Sequence, residues 1–459
     1  MAHQFNPTIL REYDIRGIVG DTLTEADAYA LGRTYASKAL GEAARTIAVG
    51  RDGRTHSGML EAELIRGLRD GGINVMQIGM GPSPMLYFAT HYLDVDGGIQ
   101  VTGSHNPADY NGFKLLLKGR SVFGQEIQEI GERAADGDWN EGSGTLEEVD
   151  IREAYANRLL EGFTGGSYRV GWDAGNGAAG PILDMLVERL PGQHFTIFTN
   201  VDGTFPNHHP DPTVESNLSD LKEIVEREQL DFGIAFDGDG DRIGAVDGKG
   251  RVIWGDQLLM ILAEPVLREL PGATIIADVK ASQSLFDRVA ELGGSPLMWK
   301  TGHSLIKSKM KETGSPLAGE MSGHVFFKHR WYGFDDALYA AVRLIEAVSQ
   351  SGKSLTQIMD SMPKTTATPE MRFQVDEARK FAVVDEVRDR LLVDGAKVDA
   401  TDGVRVSTND GWWLLRASNT QDVLVARAEA RDDAGVERLV AQIDHQLARS
   451  GVTRTEASH

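Results

Sequence analysis

Cysteine is absent from all 459 residues. Disulfides and thiolate metal sites are therefore excluded, which fits a reducing compartment. Also missing is any uninterrupted apolar run of the roughly 18 residues that a bilayer span requires. The opening residues MAHQFNPTILREYD have no basic segment leading into an apolar core, so no secretory signal is expected. Basic residues are in deficit, 47 against 68 acidic, for a formal net charge of −21. A nucleic-acid surface calls for the opposite sign. These absences point to a cytoplasmic protein that engages neither membrane nor nucleic acid. No tandem repeat stands out.

What is present is a globular composition, 41% hydrophobic and 25% charged, in a chain too long for a single core. Several segments share one rhythm: an apolar strand, a glycine-rich turn, then a helical pattern. TIAVGRDGRTHSG leads into MLEAELIRGLRDGG, with Leu60, Leu64, Ile65 and Leu68 on one helical face. YRVGWDAGNGAAG, LDFGIAFDGDGDR and ATIIADVKASQS repeat the theme. Such alternation predicts α/β layers with largely parallel pairing and sites at the carboxyl ends of strands. Boundaries are expected within Asp138–Asp150, Asp247–Asp256 and Met362–Met371. The last piece reads as short strands followed by a helix carrying Val436, Leu439, Val440, Ile443 and Leu447, an α+β pattern.

Four loops carry candidate chemistry. In GGIQVTGSHNPADYNGFK a strand stops at Ser104, followed by His105, Asn106 and Pro107, with Lys114 ten residues beyond the serine. Ser, Asn and Pro are ordinary turn formers; equally, a serine at a strand tip can be a nucleophile facing a cleft. In FDGDGDRIG, Asp237, Asp239 and Asp241 alternate with glycine, and three converging carboxylates call for a hard divalent cation. A calcium loop would need glycine and glutamate where Arg242 and Gly248 stand. A Mg²⁺–phosphoryl site is the better match, with Arg242 steadying the same charge. AGEMSGHVFF offers Glu320 and Ser322 for neighbouring sugar hydroxyls, with His324 behind them. RASNT offers Arg416, Ser418, Asn419 and Thr420 as a phosphate cradle, or simply a capped turn.

TGSHNP, DGDGDR, GEMSGH and RASNT, in that order, together with REYDIRG and FPNHHPDP, resemble the α-D-phosphohexomutase superfamily across nearly its whole length. VTGSHNPADYNGFK and GEMSGH look most like the bacterial phosphomannomutase/phosphoglucomutase group. The resemblance implies three similar mixed-sheet α/β domains and a C-terminal α+β domain around a central cleft. It divides the chain into a phosphoserine domain (1–150), a metal domain (151–253), a sugar domain (254–367) and a phosphate-binding domain (368–459). Ser104 would be carried as phosphoserine and, with the three aspartates, hold one Mg²⁺. Arg16, Lys114 and His303 would serve catalysis, His303 as general acid or base or as a hydrogen-bonding group. Tyr13, Arg242, Lys280, His303, Glu320, Ser322, His324 and the RASNT residues would bind substrate.

His105 and Asn106 would orient the serine loop. The adjacent His208 and His209 point oppositely on an extended chain, so they are not expected to share a metal. The implied reaction converts hexose 1-phosphate and 6-phosphate, of glucose or mannose, through a hexose 1,6-bisphosphate that turns end for end. The implied partner is a small phosphohexose, with the chain a monomer or weak homodimer. A connector at PKTTATPEM is expected to act as a hinge for domain closure. Competing readings are phosphoglucosamine mutase, a Mg²⁺-dependent phosphatase, and a silent sugar-phosphate-binding protein, the last disfavoured by an intact Ser104.

Overall fold

A computed structural model describes residues 2–419 and 421–454. The first sheet contains β1 (Ile15–Ile18), β2 (Thr46–Arg51), β3 (Asn74–Met80), β4 (Gly97–Val101), β5 (Tyr110–Leu117), β6 (Arg120–Ser121) and β7 (Leu146–Glu148). Its order is β1-β5-β4-β2-β3-β7, with β6 on β5. β2 is parallel to β3 and β4, whereas β5 runs antiparallel to β4 and β1. The helix Ser57–Asp70 buries Leu60, Leu64, Ile65 and Leu68, the face its periodicity predicts.

The second sheet holds β8 (Tyr168–Asp173), β9 (Gly192–Ile197), β10 (Phe232–Phe236), β11 (Ile243–Asp247) and β12 (Val252–Ile253) in the order β12-β11-β10-β8-β9. The third holds β13 (Thr274–Asp278), β14 (Ser295–Trp299), β15 (Leu317–Gly319) and β16 (Val325–Phe327) in the order β14-β13-β15-β16. The last comprises β17 (Thr366–Ala367), β18 (Met371–Gln374), β19 (Lys397–Asp399), β20 (Val404–Ser407), β21 (Gly411–Ala417) and β22 (Val423–Ala430), paired antiparallel throughout. The helices Glu377–Val393 and Asp433–Ala448 share its core, and the second buries Leu439, Ile443 and Leu447. The architecture is three α/β domains with mixed sheets and a C-terminal α+β domain.

Besides the antiparallel strands β1, β6 and β12, pairing departs from the largely parallel expectation at one place that recurs in all three α/β sheets. In each α/β sheet a parallel strand ends in a short loop and the chain returns antiparallel beside it: β4 to β5, β10 to β11, and β15 to β16. A parallel partner needs a crossover of a dozen or more residues, and these loops are too short for one. They are the serine, carboxylate and sugar loops, and the RASNT loop likewise joins β21 to antiparallel β22. One apolar cluster joins Met85–Ala89 of the first domain to β10 and β16, while the last domain keeps a core of its own. Among the described residues no helix is long and apolar enough to cross a membrane.

Candidate active site

All four loops open onto one cavity of about 1240 Å³, with Ser104, Arg242, Glu320 and Arg416 on its wall, one from each domain. Ser104 takes a left-handed backbone conformation, φ 49°, that non-glycine residues seldom adopt. Hydrogen bonds hold it there. Its N–H donates to Thr102 Oγ1 at 2.9 Å, and Thr102 donates in turn to Asp52 Oδ2 at 2.9 Å. Arg54 donates to the carbonyls of Ser104 at 2.8 Å, Asn106 at 2.6 Å and Tyr110 at 3.0 Å. The Phe205 ring covers that guanidinium at 5.1 Å. A Cβ on Gly103 would stand 2.4 Å from Arg54 Nε, so the clamp requires glycine there.

The serine loop meets the carboxylate loop directly: Ser104 Oγ donates to Asp237 Oδ2 at 2.9 Å. A Cβ at Gly238 would lie 2.4 Å from the Ser104 carbonyl, so only glycine permits this approach. Asp237 Oδ1 accepts from the N–H groups of Asp241 and Arg242, both at 3.1 Å. Lys114 Nζ donates to Asp239 Oδ2 at 2.7 Å and also to Asp241, while Ser83 Oγ donates to Asp239. Burial, then the charges of Asp239 and Asp241, push the Asp237 carboxyl well above the usual range. Burial would raise Asp241 too, but Lys114, His324 and Arg242 together outweigh it and hold that carboxyl well below.

Asp237, Asp239 and Asp241 are completely buried, and each offers an oxygen within 4.8 Å of the others. Asp239 Oδ1 has no hydrogen-bond partner among the described residues. An all-oxygen set with a spare buried carboxylate oxygen and a serine alongside fits a hard divalent cation.

The sugar loop is tied to its neighbours by His324. The imidazole Nδ1 lies 3.0 Å from Glu320 Oε2 and 2.9 Å from Ser322 Oγ. Its Nε2 lies 3.4 Å from Asp241 Oδ1 and 3.3 Å from Arg242 Nε. Burial lowers the His324 pKa, but the charge of Asp241 and hydrogen bonds to Asp241 and Glu320 together outweigh it, and the value is pushed up to about 9. His303, 5.9 Å away between ring centroids, behaves oppositely. Burial, then Lys307 and Lys114, hold its pKa well below the ordinary value. Glu320 Oε1 accepts from the Gly302 N–H at 2.6 Å.

In the last domain's part of the cavity wall, Arg416 Nε donates to Asp402 Oδ2 at 3.0 Å, as does the Thr301 N–H at 3.0 Å. Asn419 Nδ2 donates to the Tyr13 hydroxyl at 2.6 Å, and that hydroxyl donates to the Thr301 carbonyl at 2.9 Å. Tyr13 thus links the first, third and last domains at the cavity. Lys280 Nζ lies 3.4 Å from Glu370 and Ser418 Oγ accepts from the Gln421 N–H at 3.2 Å. Thr420 lies outside the described residues. Arg16 donates to Asp14 and to Asn106 Oδ1, bracing the serine loop from the cavity side. His105 Nδ1 is 3.2 Å from Ser104 Oγ. His208 Nε2 pairs with Asp173 at 2.9 Å, whereas His209 lines the cavity, so the two histidines do not converge.

Asp52, Arg54, Ser83 and Asp402 join the site without a motif that marks them in the sequence. The charged pair two residues apart in VGRDGR, at the end of β2, was the available signal for the first two.

Matches to protein families agree with this arrangement. The models described as phosphoglucomutase/phosphomannomutase alpha/beta/alpha domains I, II and III match residues 7–141, 152–250 and 254–366, and the C-terminal domain model matches 370–446. The chain belongs to the phosphoglucomutase/phosphomannomutase family. A phosphomannomutase/phosphoglucomutase of Pseudomonas aeruginosa is 46% identical over 441 residues, which cover 96% of this chain and 95% of its own. A phosphoglucomutase of Neisseria meningitidis serogroup A is 43% identical over 444 residues, 95% of each chain. The crystal structure of a phosphoglucomutase/phosphomannomutase family protein from Burkholderia thailandensis superimposes with a TM-score of 0.93 at 41% identity, covering 99% of both chains. In this family member, then, the four loops that meet at the cavity come one from each of the four matched domains.

Proposed function

We propose that this phosphoglucomutase/phosphomannomutase family member interconverts hexose 1-phosphates and hexose 6-phosphates of glucose and mannose, using phosphorylated Ser104 and a hexose 1,6-bisphosphate that turns over within the cavity. The observation that carries the reading is the contact of Ser104 Oγ with Asp237, 2.9 Å, in a cavity that the Arg416 loop also lines. Glu320 and Ser322 engage hydroxyls common to both orientations of the sugar.

In the first half-reaction the free hydroxyl oxygen of the monophosphate attacks the Ser104 phosphorus. The new P–O bond forms as the bond to Ser104 Oγ breaks; the hydroxyl proton passes to His303, the imidazole held neutral, and the departing serine oxygen takes up a proton to become the hydroxyl. After the bisphosphate turns, Ser104 Oγ takes the other phosphoryl group and the sugar hydroxyl is reprotonated. Mg²⁺ held by Asp237, Asp239, Asp241 and the serine phosphate would neutralise charge on the transferring group. Arg16 and Lys114 place positive charge around the same group, and Arg54 keeps its carrier in position. The segment at Met362–Met371 serves as the connector over which the last domain closes, excluding water from the phosphoserine.

A coupled assay on glucose 1-phosphate, mannose 1-phosphate and glucosamine 1-phosphate, with catalytic bisphosphate present, tests the assignment. Isomer formation on the first two is expected; turnover confined to the amino sugar, or release of free phosphate alone, overturns it. Arg416→Ala removes a charge-assisted contact to the non-reacting phosphate worth roughly 1.5–3 kcal/mol. KM should rise about tenfold to a hundredfold, with a smaller loss in kcat because the contact is equally present in ground and transition states. A wild-type KM in this variant removes the cradle.

A further inference from the structure

Asp335 lies between β16 and the helix Ala337–Ser351 and is completely buried. Its Oδ1 accepts from Lys307 Nζ at 3.0 Å. Its Oδ2 has no hydrogen-bond partner among the described residues, and facing it at 3.9 Å is Nδ1 of His303, which is also buried and also without one. His303 and Lys307 are one turn apart on the helix His303–Thr313 and so share a face. The ammonium of Lys307 rests over the Tyr87 ring at 4.5 Å, which fixes it from below. The His303 ring packs edge-on against Tyr13, 6.1 Å between centroids, and lines the cavity. Two buried polar atoms of complementary chemistry, both unsatisfied and facing one another, call for an explanation. Hydrogen bonds in ligand-free catalytic sites are often long and tighten once substrate is bound.

We propose that Asp335 is a positioning residue for His303: it receives the Nδ1–H, fixes that tautomer and ring orientation, and leaves Nε2 as the nitrogen available to the sugar phosphate. Which ring nitrogen carries the proton is set by the partner of the other, and a carboxylate behind an imidazole is an effective way to set it. Lys307 compensates the charge of the carboxylate and occupies its second oxygen. Asp335 also forms, with Asp241 and His324, a group whose ligand atoms fall within 4.8 Å of one another. A ligand role toward a metal is therefore the rival, although the seated ammonium opposes it. The role in turnover rests on the mutase reading above; the orientation of the ring does not.

The test uses the full chain labelled with ¹⁵N-histidine and long-range proton–nitrogen spectra, with and without glucose 1-phosphate. Wild-type His303 is expected as the Nδ1–H tautomer, and Asp335→Asn should move it toward Nε2–H. In the mutase assay Asp335→Asn should lower kcat by about tenfold to a hundredfold, as expected for a misplaced general acid or base, with KM within about threefold. In a His303→Gln background the same change should cost less than about twofold, because it acts through the missing ring. Asp335→Glu, which keeps a charge opposite Lys307, supplies the same readouts should Asp335→Asn fail to fold. An Nε2–H tautomer in the wild type overturns the proposal, as does an undiminished cost in the His303→Gln background. Weakened Mg²⁺ binding in calorimetry with the tautomer unchanged would make Asp335 a metal ligand instead. The spectra need no turnover, so loss of the mutase reading would leave this test standing.

Discussion

Ser104→Ala should lose mutase turnover by a factor on the order of 10⁴ or more, the scale seen when a covalent nucleophile is removed. The effect is large because no second oxygen of the serine loop stands ready to carry the phosphoryl group. The other hydroxyl of the loop, Thr102 Oγ1, accepts from the Ser104 N–H and donates to Asp52, so it is committed to holding the turn. Alanine keeps the backbone contacts from Arg54, because these reach carbonyls and not the side chain. The loop should therefore hold its shape, and affinity for sugar phosphate should stay within a few-fold. Intact-mass spectrometry should find one phosphate on the wild type and none on the variant. Unchanged mutase activity in Ser104→Ala would remove the nucleophile assignment.

Asp239→Asn should lower kcat by about 10²- to 10³-fold, the several kcal/mol that a metal ion contributes by stabilising charge on a transferring phosphoryl group. Asparagine preserves the shape of the side chain and can still accept from Ser83 and Lys114 through one oxygen. What it removes is the charge and the second oxygen, Oδ1, which is buried without a partner among the described residues. The loss should therefore appear with a raised Mg²⁺ requirement and be partly restored by excess Mg²⁺. A Mg²⁺ titration of the rate measures both. Full activity of Asp239→Asn in excess chelator would contradict a metal role for this loop.

The features legible in sequence are local ones. Glycines alternating with aspartates after an apolar strand announce a tight carboxylate turn, and in the structure the turn of Asp237, Asp239 and Asp241 follows β10. The faces of Ser57–Asp70 and Asp433–Ala448 follow from helical periodicity: the four residues expected on the first are buried, as are Leu439, Ile443 and Leu447 on the second, while Val436 and Val440 are partly buried against the same core. What sequence does not reveal depends on what arrives from elsewhere in the chain. VGRDGRTHSG reads as another glycine-rich turn, and nothing local indicates that Arg54 will reach carbonyls some fifty residues away. Asp402 sits in an ordinary polar stretch and becomes notable only because Thr301 and Arg416 converge on it. The helix Ser83–Tyr92 is apolar enough to be buried, but its packing into a cluster shared with the second and third domains is a matter of tertiary placement. The same holds for Asp335: a DDAL sequence suggests a helix cap, which Asp336 supplies, and is silent about His303.

One measurement addresses the central claim, that Ser104 lends its own phosphoryl group and recovers a different one. Enzyme carrying ³²P on Ser104 is mixed with a limiting amount of unlabelled glucose 1-phosphate and quenched within a single turnover. The label should leave the protein and appear in glucose 6-phosphate, passing through glucose 1,6-bisphosphate, while the serine is left with an unlabelled phosphate. Label retained on the protein while glucose 6-phosphate forms, or label released as inorganic phosphate, would contradict it.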